Sequence, residues 1–409
     1  MVVGAHVCGT EGDVSDDDGG PGAGAGASAT GDGLRRRRRR RRLGWAGAGV
    51  AVLTVGAVGA GWAVYAKLSG NITADEAAAA ELARYEKERP TALVRGAQNV
   101  LVIGSDTRSG EGNARYGRND GTERSDTTIL LHLAAGRDSA TAVSLPRDLM
   151  VDVPGCRRSD GKRSEPVFAQ FNYAYEVGGS ACTIRTVEKL TGIRIDHHVV
   201  VDFHGFKEMV DALDGVEVCL REPVNDEAAE LRLPAGRVTL DGEQALGYVR
   251  ARKSLGDGSD TDRMDRQQRF LGALVNKVQS NGVLLNPVKL YPVLDAATSS
   301  LTTDPDLASL RGLYDLVRGL RDIPTGRVQF LTVPRESYAG DANRDQLVEP
   351  DAEELFTRLR TDQPVAVAAG TDGEASPDPR EPEESGESGT GNSPAPTFSG
   401  NTAAEDVCE

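Results

Sequence analysis

Residues 43–66 run without a single charge, and eight consecutive arginines, 35–42, stand directly before them. This pairing restricts the fold more than any other feature of the chain. A helix rises about 1.5 Å per residue, so the apolar run can cross a hydrocarbon layer of roughly 30 Å with some tilt. Trp45, Trp62 and Tyr65 lie near its ends, where amphipathic rings favour the membrane interface. A cleavable signal sequence has a shorter apolar core and a small-residue cleavage site, and neither is evident. Arginine runs stay on the cytoplasmic side, so everything beyond Lys67 is expected outside the cell membrane. The run also suits RNA or anionic lipid, but orientation explains it without a partner.

The flanks read differently. Residues 1–34 carry ten Gly, six acids and no Lys or Arg; residues 370–409 carry ten acids, one Arg and one aromatic, Phe398. Such segments bury little apolar surface and are expected to be disordered. With 62 acidic against 47 basic residues and a net charge of −15, no nucleic-acid partner is expected. Arg outnumbers Lys 39 to 8, so only clustered arginines carry weight. Cys8 is expected inside, and Cys156, Cys182, Cys219 and Cys408 outside, where disulfides persist. A Cys156–Cys182 bridge is favoured, with pairs involving Cys219 left open.

The expected organisation is a disordered cytoplasmic tail with the arginine run (1–42), a transmembrane helix (43–66), a helical stalk (67–95), a globular domain (96–362) and a disordered acidic tail (363–409). The stalk opens on a capping-box pattern, TADE at 73–76, and runs to about residue 88. In the domain, apolar β-branched runs at 99–104, 127–134, 140–145, 199–203, 216–220 and 328–333 predict strands. Helical patterns at 181–191, 205–213, 263–280, 307–320 and 352–359 alternate with them. The fold class is therefore α/β: a mixed central sheet flanked by helices on both faces, in α-β-α layers, after one transmembrane helix. The runs at 127–134 and 140–145 are expected to form an antiparallel hairpin.

Polar motifs punctuate the ends of these elements: GSDTR (104–108), RSDT (124–127), SLPRD (144–148), YVRAR (248–252) and DTDRMDRQQ (260–268). Arg250 and Arg252 stand two apart in a segment read as extended, which turns both to one side. In the following helix Arg263, Arg266 and Gln267 are spaced to share one face near a helix N-terminus, where an anion is favoured. Guanidinium groups match phosphate oxygens, and Asp106 and Asp126 offer the hard oxygens that Mg²⁺ takes. Each motif alone is as readily a cap or a surface ion pair. Together they suit a metal-bound pyrophosphate. The histidines at 132, 197, 198 and 204 are read as packing or exposed residues, and Ser105, Ser125 and Ser144 lack a partner pattern for nucleophilic catalysis.

With FNYAYEVGG (171–179), VDFHGFKEMVDALDGVEV (201–218) and LPAGRVTLDGEQALGYVRAR (233–252), these motifs make the chain resemble the LytR-CpsA-Psr family of cell-wall glycopolymer ligases. The resemblance implies a phosphotransferase outside the cell membrane. Its substrate is an undecaprenyl-pyrophosphate-linked anionic glycopolymer, its acceptor peptidoglycan, and its leaving group undecaprenyl phosphate. Asp106 and Asp126 match metal-linked acids, implying Mg²⁺, with Mn²⁺ as a substitute. Arg124, Arg147, Arg250, Arg252, Arg263 and Gln267 match pyrophosphate-binding positions, and Asp260 an acid that orients the arginines. Asp106, Arg108, Asp126 and Arg147 form the expected catalytic set, and an apolar tunnel is expected to take the polyprenyl chain. A polar insertion at 109–123 and the acids Asp262 and Asp265 depart from the family pattern. The rival readings are a polyprenyl-pyrophosphate hydrolase using the same site and a membrane-tethered regulator.

Overall fold

The structure, a computed structural model, describes residues 31–105, 125–227, 229–251, 259–280, 287–368, 397–405 and 408. It forms two units, Met1–Ala63 and Val64–Glu409. In the first, α1 (Gly31–Asn71) presents Val52, Leu53, Val55, Val58 and Trp62 outward, each more than 70% exposed. Among the described residues, one helix is long and apolar enough to cross a membrane, at Val52–Asn71. The second unit takes up the last turns of α1.

The second unit continues with β1 (Thr73–Ala74), α2 (Glu76–Arg84), β2 (Gln98–Ser105), β3 (Ser125–Leu133) and β4 (Ala140–Leu145). A hairpin, β5 (Met150–Val153) and β6 (Val167–Gln170), leads to α3 (Asn172–Thr191), β7 (His197–Asp202) and α4 (Phe203–Ala212). Then come β8 (Val216–Leu220), β9 (Val224–Asp226), β10 (Leu231–Leu233), β11 (Gly236–Leu240), α5 (Gly242–Arg250) and α6 (Asp260–Ser280). The rest comprises α7 (Pro287–Ser300), β12 (Leu301–Thr303), α8 (Leu310–Arg321), β13 (Val328–Thr332), β14 (Arg335–Tyr338), β15 (Asp341–Leu347), α9 (Asp351–Arg360), β16 (Ala366–Ala368) and β17 (Thr397–Thr402).

Among the described residues, nine strands form one mixed sheet in the order β1-β12-β7-β2-β3-β4-β13-β17-β16. The predicted hairpin is β3–β4, and its turn carries Arg137 at positive φ. Side chains alternate across a strand, so β2 sends Leu101 and Ile103 to one face and Val100 and Val102 to the other. The first face packs on α2, α3 and α9, through Leu82, Ile184 and Phe356 among others. The second packs on α6 and α8 through Leu271, Val275, Leu316 and Leu320. A satellite core around Phe270, Val210 and Tyr248 packs with the antiparallel β8–β11 pair. The α-β-α layering expected from the sequence is thereby present.

Several expectations give way. The stalk at 67–95 does not stand apart: β1 joins the sheet edge, and Ala78, Leu82 and Tyr85 are buried. Arg89 also donates to Glu188 inside the domain, at 2.7 Å. The α2 cap is Asp75, whose carboxylate accepts from Ala78 N, and Thr73 is a strand residue. The acidic tail is not disordered throughout either. Strand β17 pairs antiparallel with β13, buries Phe398 and is followed by a Cys219–Cys408 disulfide. Averaged composition hid six residues that complete a sheet edge already in place. Gly400 is required there, because a side chain would collide with the Phe330 carbonyl.

The Cys156–Cys182 bridge forms as favoured. It crosses α3 beside Gly178, where a Cβ would stand 2.9 Å from that of Cys182. The helix kinks there, with Gly179 at φ 58°.

Candidate functional site

Three chain segments meet at one end of the sheet. The β2–β3 ladder pairs Gly104 with Thr127 and Ser105 with Ser125, leaving Asp126 as an extra residue. Such a bulge re-aims a side chain, and Asp126 faces a cavity of about 630 Å³. Arg147 follows β4 after Pro146 and donates Nη1 to Asp126 Oδ1 at 2.9 Å. Its Nε donates to Asp148 Oδ2 at 3.1 Å and lies 3.6 Å from Asp260 Oδ2. Burial alone would lower the Arg147 pKa, but Asp126, Asp148 and Asp260 together raise it, so the guanidinium stays charged.

Asp260 opens α6 and holds Arg263 with both oxygens, each at 3.0 Å. The Arg263 side chain is only 7% exposed, so its fork has a fixed direction. Gln267, one turn further, donates Nε2 to the Val249 carbonyl at 3.2 Å and sits 3.5 Å from Thr127 Oγ1. Arg250 ends α5, with its guanidinium 4.6 Å from the ring centroid of Phe203.

These polar groups occupy only part of the cavity wall. The sheet contributes Val102, Ile129 and Val201; α4 adds Phe203, Phe206 and Met209; α5 adds Leu246 and Val249; α6 adds Phe270, Leu271 and Leu274. Spacings of three and four residues put each helical set on one face. The result is an apolar hollow with Arg147, Arg250, Arg263, Gln267, Asp126 and Asp202 in its lining.

Of the residues singled out in the sequence, Asp126, Arg147, Arg250, Arg263, Gln267 and Asp260 are thus brought together. Asp106, Arg108, Arg124 and Arg252 lie outside the described residues, as does the insertion at 109–123. Two local readings change. Arg250 sits in a helix, not an extended strand, because Asp241 and Gln244 form a capping box that starts α5. Arg266 turns away from the site: its Nη2 donates to the Ala251 carbonyl, and burial lowers its pKa.

Sequence reasoning passed over Asp148, which also accepts from Gln170 Nε2 at 2.8 Å. It passed over Asp202 too, which caps α4 by accepting from Gly205 N at 2.7 Å. Asp148 lies inside the SLPRD motif, so the signal was present. Phe203, Phe206 and Met209 offered only helical spacing, which reads equally as core.

Asp126 tests the expected metal. Its Oδ1 is taken by Arg147, while Oδ2 has no partner among the described residues, and carboxylate oxygen is the donor Mg²⁺ prefers. Among the described residues no group of three His, Cys, Asp or Glu ligands gathers. An ion held here would therefore rest on Asp126, the expected Asp106, substrate phosphates and water, a set that fits Mg²⁺.

Residues 64–361 match the profile described as the LytR_cpsA_psr family. The cell wall biosynthesis protein LcpA of Corynebacterium glutamicum is 35% identical over 280 residues, covering 62% of this chain and 53% of that protein. The polyisoprenyl-teichoic acid–peptidoglycan teichoic acid transferase TagU of Enterococcus faecalis is 35% identical over 207 residues, covering 50% of this chain and 61% of TagU. The match thus spans between about half and three fifths of the length of these curated relatives. A solved LytR-Csp2A-Psr enzyme from Actinomyces oris superposes with a TM-score of 0.52 at 23% identity, over 66% of this chain and 93% of that one. B. subtilis TagV gives 0.52 at 23% identity, over 66% and 98%. At such identities the likeness concerns the fold.

Proposed function

The chain belongs to the LytR-CpsA-Psr family, and from that premise we propose that it transfers a glycopolymer from a polyprenyl-pyrophosphate carrier to peptidoglycan. One observation carries the reading: Arg147, Arg250, Arg263 and Gln267, with Asp126 and Asp202, share a cavity whose wall is otherwise mainly Val, Leu, Ile, Phe and Met. A diphosphate head with a long hydrocarbon tail has that division of polarity.

The transfer is a phosphoryl substitution in which the protein chiefly positions charge. An acceptor hydroxyl oxygen attacks the phosphorus joined to the glycopolymer, and the bond from that phosphorus to the bridging oxygen breaks. A phosphodiester forms and polyprenyl phosphate leaves. Arg147 and Arg263, fixed by Asp126 and Asp260, neutralise the charge that builds on the leaving phosphate. Asp106, the first choice for general base, takes the hydroxyl proton. Asp126 and Asp106 would hold Mg²⁺, which when bound adds positive charge beside the phosphate oxygens. The apolar wall excludes water, which favours a sugar hydroxyl over hydrolysis. On this reading the apolar run at 43–66 crosses the cell membrane, the arginine run stays in the cytoplasm, and the domain works outside.

The test is product analysis. Full-length protein in detergent, given lipid-linked glycan diphosphate and peptidoglycan, is expected to yield a peptidoglycan phosphodiester and polyprenyl phosphate. Free glycan phosphate at an equal rate with and without peptidoglycan would identify a hydrolase instead.

A further inference from the structure

The end of the membrane helix is built into the domain by a polar clasp the transfer chemistry does not use. Lys67 Nζ donates to Asp295 Oδ2 at 2.7 Å, and Asn71 Nδ2 donates to Asp295 Oδ1 at 2.9 Å. Asn71 also reaches Thr298 Oγ1 at 3.4 Å, and Lys67 the Tyr291 hydroxyl at 3.2 Å. All three partners lie on α7. That helix packs on α4, where Gly205 leaves no room for a side chain beside Ser300 and the Ser300 hydroxyl donates to Glu208 at 3.3 Å. A neighbouring face of α4 carries Phe203, Phe206 and Met209, which line the cavity.

Strand direction adds an independent observation. β1 runs parallel to β12, β12 antiparallel to β7, and β7 parallel to β2. The chain leaving α1 therefore enters the sheet at the end where β2 and β7 finish. That end holds Gly104 and Asp202 of the cavity lining. The point where the chain from α1 joins the sheet and the charged end of the cavity therefore share one end of that sheet.

We propose that the Lys67/Asn71–Asp295 clasp is a positioning device, which fixes α7 and through it the α4 wall against the bilayer surface. A polyprenyl carrier then passes between membrane and cavity without crossing water. The inference rests on the carrier-lipid reading above. It adds Lys67, Asn71 and Asp295 as positioning residues.

The experiment follows lipid uptake. Full-length protein in vesicles is offered ω-labelled undecaprenyl phosphate in the bilayer, and separately water-soluble farnesyl phosphate. Asp295→Ala is expected to slow uptake from the bilayer roughly tenfold while leaving farnesyl phosphate binding unchanged. The exchanged pair Lys67→Asp with Asp295→Lys is expected to restore uptake. Equal losses for both lipids, no loss, or no restoration by the exchange would overturn the inference. Wild-type uptake without transfer to peptidoglycan would sink the proposed transfer and still support the clasp if the variants behave as stated. No wild-type uptake of either lipid would overturn both.

Discussion

At the scale of single residues, Arg263 and Arg266 make an internal control. They lie three residues apart on α6, both buried, yet Arg263 is held in a fork by Asp260 at the cavity and Arg266 donates to a backbone carbonyl behind it. Lys cannot reproduce a two-pronged contact, so Arg263→Lys is expected to lower kcat/KM about a hundredfold with little change in Tm. Arg266→Lys is expected to do the reverse, as thermal melting beside a transfer assay will show. His197 offers a pH signature. Burial would lower its pKa, but the hydrogen bond to and charge of Asp304 raise it above the ordinary value. A raised folded pKa means the pair stabilises fully below the unfolded value of about 6.5, and the gain is lost as pH rises through the folded value. The Tm difference between wild type and His197→Asn should therefore shrink from mildly acidic to alkaline buffer. His132 moves oppositely, since burial lowers its pKa, so only this difference isolates His197. Asp126, Arg147, Arg263 and Gln267 were legible as neighbours because several such motifs recur together at element ends and match the family's pattern. The placing of Arg266 was not, because helical spacing does not decide where a long side chain turns.

At the scale of elements, α4 has three working faces. One lines the cavity, one takes α7 at Gly205, and the third meets α5, where Gly242 N donates to Asp211 Oδ1 at 2.7 Å. Gly205→Val drives a branched side chain into Ser300 and should cost about 2 kcal/mol in denaturant unfolding. Removing the α5 cap with Asp241→Ala should cost about 1 kcal/mol and loosen Arg250 at the other end of that helix. The strands and helices of the main layers followed directly from periodicity, since each is half-buried in the expected sense. Residues 248–250 did not, because Tyr and Val favour strands locally and the capping box seven residues upstream outweighs them. The tail strand escaped for another reason: β17 has little apolar content of its own and borrows its partner surface from β13.

At the scale of the whole molecule, that late strand ties distant parts of the sequence together. The Cys219–Cys408 disulfide closes 189 residues around α6, the helix that carries Arg263 and Gln267. Cys219→Ser is expected to lower stability by roughly 2–4 kcal/mol and to expose residues 397–405 to protease, which limited digestion will reveal. Synthesis delivers a chain from its amino end, so β13 is made well ahead of the segment that covers its outer edge. During that interval the bare backbone of β13 is a template for any passing extended peptide, including another nascent copy. The protein's yield therefore depends on how soon β17 reaches β13, and a holdase is most needed in that interval.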